Sequence, residues 1–153
     1  MPAQIVTACA GFLLAVLWMD LMFDSQVRTT DRDNPLDERV LASIAGYYQR
    51  ATTTSQPMGS AIAAVMIALV ATLGVEAFRG ATPAPILALG AVLAGGPILL
   101  ALTRTVPNAV RLGHRSGSTA EQSRLARAVF RDHLICAIGM FAFLVLRIVA
   151  GVG

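Results

Sequence analysis

Four apolar blocks, Ile5–Phe23, Met58–Phe78, Ile86–Thr103 and Leu134–Val152, set the limits on what this chain can fold into. Each is near the ~20 residues that an α-helix needs to cross a bilayer core of about 30 Å. A segment surrounded by hydrocarbon must satisfy its backbone groups internally, so the blocks are expected to be helices. The expected fold class is all-α: an integral membrane four-helix bundle, one domain over residues 1–153. With 56% hydrophobic residues and a positive mean hydropathy, the remainder is expected to be too small for a core of its own.

The first block has no basic segment ahead of it, and the small residues Val6-Thr7-Ala8-Cys9 lie at its start rather than its end. Neither a cleaved signal nor a lipoprotein site is expected. Cys9 and Cys136 fall near opposite membrane sides, too far apart for the roughly 4–7 Å between Cα atoms that a disulfide requires. Both are expected to be buried structural thiols.

All twelve basic residues are arginines, which with the alanine-rich composition points to a GC-rich bacterial genome. Arg28, Arg32, Arg39 and Arg50 lie in the first connection, and Arg104, Arg111, Arg115, Arg124, Arg127 and Arg131 in or beside the third. Only Arg79 and Arg147 fall toward the other side. The positive-inside rule therefore puts the first and third connections in the cytoplasm. This predicts a multi-pass protein of the inner (plasma) membrane with both termini outside. The charge of +3 reflects that bias, and no nucleic-acid partner is implied.

The connection from Asp24 to Pro57 contains a helix signal. Asn34-Pro35-Leu36-Asp37-Glu38 reads as an N-cap, a proline at the first helical position and acids at the positive end of the dipole. Leu36, Val40, Ile44, Tyr47 and Tyr48 recur at helical spacing. Residues 35–50 are thus expected to form an additional amphipathic cytoplasmic helix between spans 1 and 2, as an interfacial anchor or a lid. Thr52 to Pro57 should break that helix, and Arg79 to Pro85 should be a tight turn that makes spans 2 and 3 antiparallel neighbours.

Residues 86–112 can stay helical beyond the membrane, with Gly113 as C-cap. Ser118-Thr119-Ala120-Glu121 matches a capping box and should start a helix running through His133 into span 4. Arg124, Arg127 and Arg131 would form a stripe facing anionic lipid head groups. Ala61, Ala64, Ala68 and Ala71 in span 2, and Ala84, Ala88, Ala91 and Gly95 in span 3, read as close-packing stripes. Gly95-Gly96-Pro97 reads as a kink. Glu76 and Arg79, one turn apart, are expected to pair, and Arg147 to snorkel outward.

Asp20 is the most unusual residue, because a carboxylate within a span is costly to bury and is functional or paired. Asp24 lies one turn further on the same face. An arginine partner for Asp20, from Arg104 or Arg111, is one expectation. The ends of spans 1 and 3 and the start of span 4 should meet at the cytoplasmic side, where Arg104, Asn108 and Arg111 share one helix face. Asp132 and His133 differ by about 100° around their helix, so one at most should point inward. His133 is the better candidate, since it can act as base, donor or ligand near neutral pH. The candidate catalytic residues are Asp20, His133, Asn108 and Arg104. Asp24, Arg111, Tyr47 and Tyr48 are candidate substrate or cation contacts. The chain has no H-E-x-x-H, Glu-x-x-His or cysteine cluster, so neither a metal nor another cofactor is expected.

Val106-Pro107-Asn108 after span 3, and Phe130 and His133 ahead of span 4, within a four-span layout, resemble the anthrone-oxygenase-like family of small membrane proteins. The resemblance spans nearly the whole chain. It implies a cofactor-poor oxidation of an aromatic, hydrophobic substrate reached from the membrane. Such an enzyme would use Asp20 or His133 to remove a substrate proton and Arg104 or Asn108 to hold the oxyanion. The alternative is a non-catalytic accessory or assembly subunit of a membrane complex, and a third reading is a small transporter working as an oligomer. The partners implied are lipids with anionic head groups, a hydrophobic small molecule, and a second copy or another membrane protein.

The arginine distribution makes a direct prediction. A reporter fused after Gly153 should report the outside, and one inserted within Ser116–Thr119 should report the cytoplasm. The reverse pattern overturns the topology.

Overall fold

The computed structural model describes residues 2–31, 34–54, 56–80 and 82–151, so expectations placed on Arg32, Ser55, Ala81, Val152 and Gly153 lie outside the described residues. The helices are α1 (Pro2–Asp24), α2 (Glu38–Gln49), α3 (Gln56–Arg79), α4 (Ala84–Leu100), α5 (Val106–Gly113) and α6 (Thr119–Gly151). A 3-10 turn, Ser25–Thr29, continues α1, and π-helical turns follow α2 at Arg50–Thr54 and α4 at Ala101–Thr105. There is no strand among the described residues. Four stretches are long and apolar enough to cross a membrane: Ala3–Thr29, Pro57–Arg79, Ala84–Gly113 and Thr119–Ala150.

Helix α6 is the common spine, packing on α1 and α4, while α3 packs on α1 and touches α4 more sparingly. Val6, Ala10, Leu13, Leu69, Ala94, Ile98, Met140 and Phe143 form the main core. The alanine stripes do not make these seams. Ala61, Ala64 and Ala71 on α3 and Ala84, Ala88 and Ala91 on α4 are exposed. The buried faces carry Leu69 on α3 and Gly90, Ala94, Pro97 and Ile98 on α4. Where neighbouring helices are all apolar, composition alone does not say which face turns inward.

A close crossing joins Pro97 and Gly139. A Cβ added at Gly139 would stand 2.7 Å from Pro97 Cγ and 3.2 Å from the Leu93 carbonyl oxygen. Proline Cγ belongs to a rigid ring, so the glycine is what lets α4 and α6 meet there. Pro97 also removes a helical hydrogen bond, and its own carbonyl accepts from the Cys136 thiol at 3.5 Å. Cys9 and Cys136 are both free, and Cys136 is buried.

A second apolar core contradicts the expectation that the remaining chain could not build one. Val27, Leu36, Leu41, Ile44, Tyr48, Ala109, Leu112, Ala126 and Val129 bury one another where α2, α5 and the start of α6 meet. The expectation failed because it counted the connections separately, whereas the extension of α6 beyond the main core lends them a shared wall. Helix α2 starts later than the Asn34-Pro35 signal implied. The Leu36 amide donates to Ser123 Oγ at 2.9 Å, holding this stretch out of helical conformation. Asp37 is the N-cap and accepts from the Arg39 amide at 2.7 Å. Thr52 and its neighbours do not end the helix abruptly but widen it into the π-helical turn.

The capping box at Ser118 is present. The Ser118 amide donates to Glu121 Oε2 at 2.8 Å, and the Glu121 amide to Ser118 Oγ at 3.3 Å. Gly113 ends α5 from within, and His114 follows as C-cap. The glycine is needed for a close approach, since a Cβ there would lie 2.9 Å from the Gln49 amide nitrogen. Arg115 takes the left-handed conformation, with φ 54°, and pairs with Glu38.

At the opposite end, Glu76 does not pair with Arg79. Its Oε1 accepts from Arg147 Nη2 at 2.7 Å, and both side chains are buried. Arg147 therefore crosses the bundle interior instead of snorkelling outward. Once both groups are buried, breaking the pair would leave an uncompensated charge in a low-dielectric surrounding, which is strongly destabilising.

Gly139→Ala should lower stability by about 1–3 kcal/mol through overpacking against Pro97. Gly95→Ala, where an added Cβ meets nothing within 4 Å, should be neutral or stabilise by roughly 0.5–1 kcal/mol through helix propensity. Unfolding in detergent followed by circular dichroism compares the two, and equal effects would refute the close crossing.

Candidate functional site

Between the two cores lies a band of polar side chains from three elements. Asp20 and Asp24, one turn apart on α1, face Tyr47 and Tyr48 on α2 and His133 on α6. The helical period puts both carboxylates on one face of α1. Consecutive residues on α2 diverge by about 100°, which lets the two tyrosines reach different carboxylates.

Asp24 is fully buried. Its Oδ1 accepts from the Tyr48 hydroxyl at 2.7 Å, and its Oδ2 lies 2.7 Å from His133 Nδ1. With Nδ1 carrying the proton, both carboxylate oxygens are satisfied and His133 Nε2 is left as the basic nitrogen. The Tyr48 hydroxyl also lies 3.3 Å from His133 Nδ1.

Asp20 Oδ1 accepts from the Tyr47 hydroxyl at 2.5 Å. Its Oδ2 is 3.8 Å from His133 Nε2, too long for a direct hydrogen bond. A donor atom placed at about 2.8 Å from each can bridge the gap. Phe23 stacks on Tyr47 with ring centroids 4.2 Å apart, and Tyr47 meets Tyr48 edge-on at 5.1 Å. These rings cover the carboxylates on the α2 side.

Asp20 and His133 line an otherwise apolar cavity of about 150 Å³ between α1, α3, α4 and α6. Leu13, Leu17, Met66, Pro97, Thr105, Cys136 and Met140 are among its other walls. A second cleft of about 280 Å³ shares Val16, Asp20 and Ile62 with the first and is also lined by Tyr47, Arg50 and Met58. Asp20 is therefore reachable from both.

The expected arginines are elsewhere. Asp20 has no ion pair with Arg104 or Arg111: its partners are Tyr47 and His133. Arg104 Nε lies 3.1 Å from Asp132 Oδ2, and Arg131 Nε 3.7 Å from Asp132 Oδ1. Asn108 is half-buried on α5 and lines neither cavity, and Arg111 is exposed in a cleft with Glu121 and Arg124. The π-helical turn explains the displacement. Its extra residue breaks the 3.6-residue phase, so that Thr105 turns inward and the Arg104 face turns toward the Asp132 side of α6. Asp132 and His133 point to different neighbours, His133 to Asp24 on α1 and Asp132 to Arg104, and both are buried because α6 is enclosed on two sides here.

Sequence reasoning missed Phe23, Thr105, Cys136 and the methionines of the cavity. Apolar side chains at helical spacing carry no local mark of which of them face a void. Among the described residues no group of three or more His, Cys, Asp or Glu side chains is placed to hold a metal ion. Asp20, Asp24 and His133 are instead engaged with one another and with the tyrosines. Comparison with protein-family models, curated proteins and solved structures gives no match for this chain.

Burial, then the hydrogen bond to Asp20, pushes the Tyr47 hydroxyl well above the usual phenol range. Burial, then the Asp24 charge, does the same for Tyr48. A raised folded-state pKa contributes stability that is complete below the unfolded value of about 10 and is lost as pH rises above it. These are the chain's two tyrosines. Tyrosinate absorbance of the folded protein should accordingly remain low at about pH 11, while the denatured chain titrates near pH 10. Ordinary titration of either tyrosine in the folded protein would contradict the enclosed cluster.

Proposed function

We propose that this chain is an integral membrane enzyme that removes a proton from a small hydrophobic, aromatic substrate and oxidises it with dioxygen. The four apolar helices support insertion in the plasma membrane, and the arginine distribution supports a cytoplasmic polar end with both termini outside. Helix α2, with Leu41, Ile44 and Tyr48 inward and Glu38, Arg39 and Ser43 exposed, then lies as an amphipathic helix at the cytoplasmic interface.

The observation that carries the reading is the position of His133, held by buried Asp24 through Nδ1 and facing an apolar cavity beside Asp20. A carboxylate that fixes one imidazole nitrogen presents the other as a base with a defined direction. His133 Nε2 takes the substrate proton, and Asp20, hydrogen-bonded by Tyr47, balances the imidazolium that results. The substrate carbanion gives its electrons to dioxygen, which dissolves readily in hydrocarbon. Loss of water from the resulting hydroperoxide converts CH₂ and O₂ into C=O and H₂O. Arg104 and Asn108 do not line the cavity, which leaves the protonated His133 Nε2 as the donor that faces a developing oxyanion.

A second reading is favoured by one observation. The Tyr47–Asp20 and Tyr48–Asp24 bonds fasten α2 to α1, which is all that an accessory subunit would require of them. Purified protein in lipid nanodiscs, given anthrone and dioxygen, separates the two. On the enzyme reading anthraquinone forms, and His133→Gln, whose amide can still donate to Asp24 but cannot take a proton, slows turnover per folded molecule at least about 100-fold. Turnover no faster than in empty nanodiscs, or turnover that falls only with the folded fraction, would favour the fastening role.

A further inference from the structure

The cleft between α6 and the Ser25–Thr29 turn has a volume of about 610 Å³ and is lined by Arg28, Arg127, Arg131, Phe130 and Leu134, among others. Among the described residues, the lining of the cleft carries three arginines and a single carboxylate, that of Asp31. Arg127 builds the cleft wall: its Nη2 donates to the Asp31 and Asn34 carbonyls at 2.8 and 2.7 Å, drawing the first connection onto α6. Arg28 and Arg131 are exposed. Arg131 approaches Asp132 at 3.7 Å, but that carboxylate is buried and is met more closely by Arg104.

The helix continues the cleft in one direction only. Arg127, Arg131, Leu134, Ile138, Phe141 and Val145 follow steps of four and three residues, so they form one straight stripe along α6. From Arg131 to Val145 every member of that stripe is between 43% and 62% exposed. The apolar part, Leu134 to Val145, is about 16 Å long at 1.5 Å per residue. That is close to half of a bilayer core of about 30 Å, the depth of one leaflet.

We infer that this cleft and stripe bind one anionic phospholipid of the cytoplasmic leaflet. Its head-group phosphate sits between Arg28 and Arg131, its glycerol region rests against Phe130, and one acyl chain lies along Leu134, Ile138 and Phe141. The charge of the cleft selects against zwitterionic lipid, and the stripe selects against a free anion. The inference rests on the membrane placement of α6 but is independent of the enzyme reading. Arg124, which the sequence groups with Arg127 and Arg131, lies outside it in the cleft with Arg111 and Glu121.

The test is native mass spectrometry of the full chain in detergent, titrated separately with dioleoylphosphatidylglycerol, dioleoylphosphatidylcholine and inorganic phosphate. The expected result is one retained phosphatidylglycerol, phosphatidylcholine held at least tenfold more weakly, and no retained phosphate. Arg28→Gln and Arg131→Gln should each weaken phosphatidylglycerol about fivefold, the effect of one arginine near an anionic surface. Arg124→Gln should leave it unchanged. The lipid comparison on the unaltered chain needs no variant to fold. Equal retention of the two lipids would overturn the site, as would unchanged binding in a folded Arg28→Gln/Arg131→Gln protein. Phosphate bound as tightly as the lipid would assign the cleft to a soluble anion instead. A chain that needs detergent for extraction yet retains no phosphatidylglycerol would refute the lipid site while leaving the membrane placement intact.

Discussion

The burial of Asp24 governs the architecture. A carboxylate with no access to water is tolerated only when its oxygens are met by donors, because an unmet buried charge costs several kcal/mol. Here one donor comes from α2 and one from α6. Neither helix is a sequence neighbour of the other, so satisfying one side chain on α1 requires the first connection to fold back and α6 to present His133 at the right height. The second apolar core is the consequence of that closure. Tyr48 belongs to both: its ring packs with Leu41 and Ile44 while its hydroxyl holds Asp24.

The molecule is thus two apolar cores separated by a polar layer and joined by one long helix. At 33 residues, α6 is about 50 Å long and passes through both. The layer is asymmetric. On the α2 side, aromatic rings close it, and on the bundle side it opens onto the apolar cavity between α1, α3, α4 and α6. Asp24, with both oxygens satisfied, holds the His133 ring rigidly, and rigidity is what an acid–base group needs to keep a fixed direction toward a bound molecule. The same network would serve equally to hold a cap in place, which is why both functional readings begin from the same atoms.

Deviations from regular helix concentrate around this layer. Pro97, the close pass of Gly139 and the π-helical turn at Ala101–Thr105 all lie on the cavity side, and a second π-helical turn follows Tyr48. Removing one backbone hydrogen bond at Pro97 loosens the α4 ladder, and the extra residue in the turn re-aims everything after it. Helix α5 therefore presents Ala109 and Leu112 to the second core while its polar face looks away. The Glu76–Arg147 pair plays a simpler part at the far end, tying α3 to α6 where no polar layer exists.

The four apolar blocks, the capping box at Ser118 and the distinction of Asp20, Asp24, Tyr47, Tyr48 and His133 were legible in the sequence, because each depends on local composition or on spacing within one helix. Those five residues meet because the C-terminal turns of α1 and α2 both pack against the middle of α6. The partners of charges were not legible in the same way. Arg104 with Asp132, Arg147 with Glu76 and the Ser123 bond to the Leu36 amide all join residues far apart in the chain, and a π-helical turn shifts the phase on which any face-by-face reading relies. The inward faces of α3 and α4 were misread for a related reason: between apolar helices, alanine, leucine and methionine are nearly equivalent to the solvent around them, and only the shape of the neighbour decides which turns in. Sequence alone determined which segments must be helices and which polar groups could not be left unsatisfied, since an unpaired polar group is costly in any apolar surrounding. Tertiary structure decided who satisfies them, because that depends on distances between elements that no local pattern encodes.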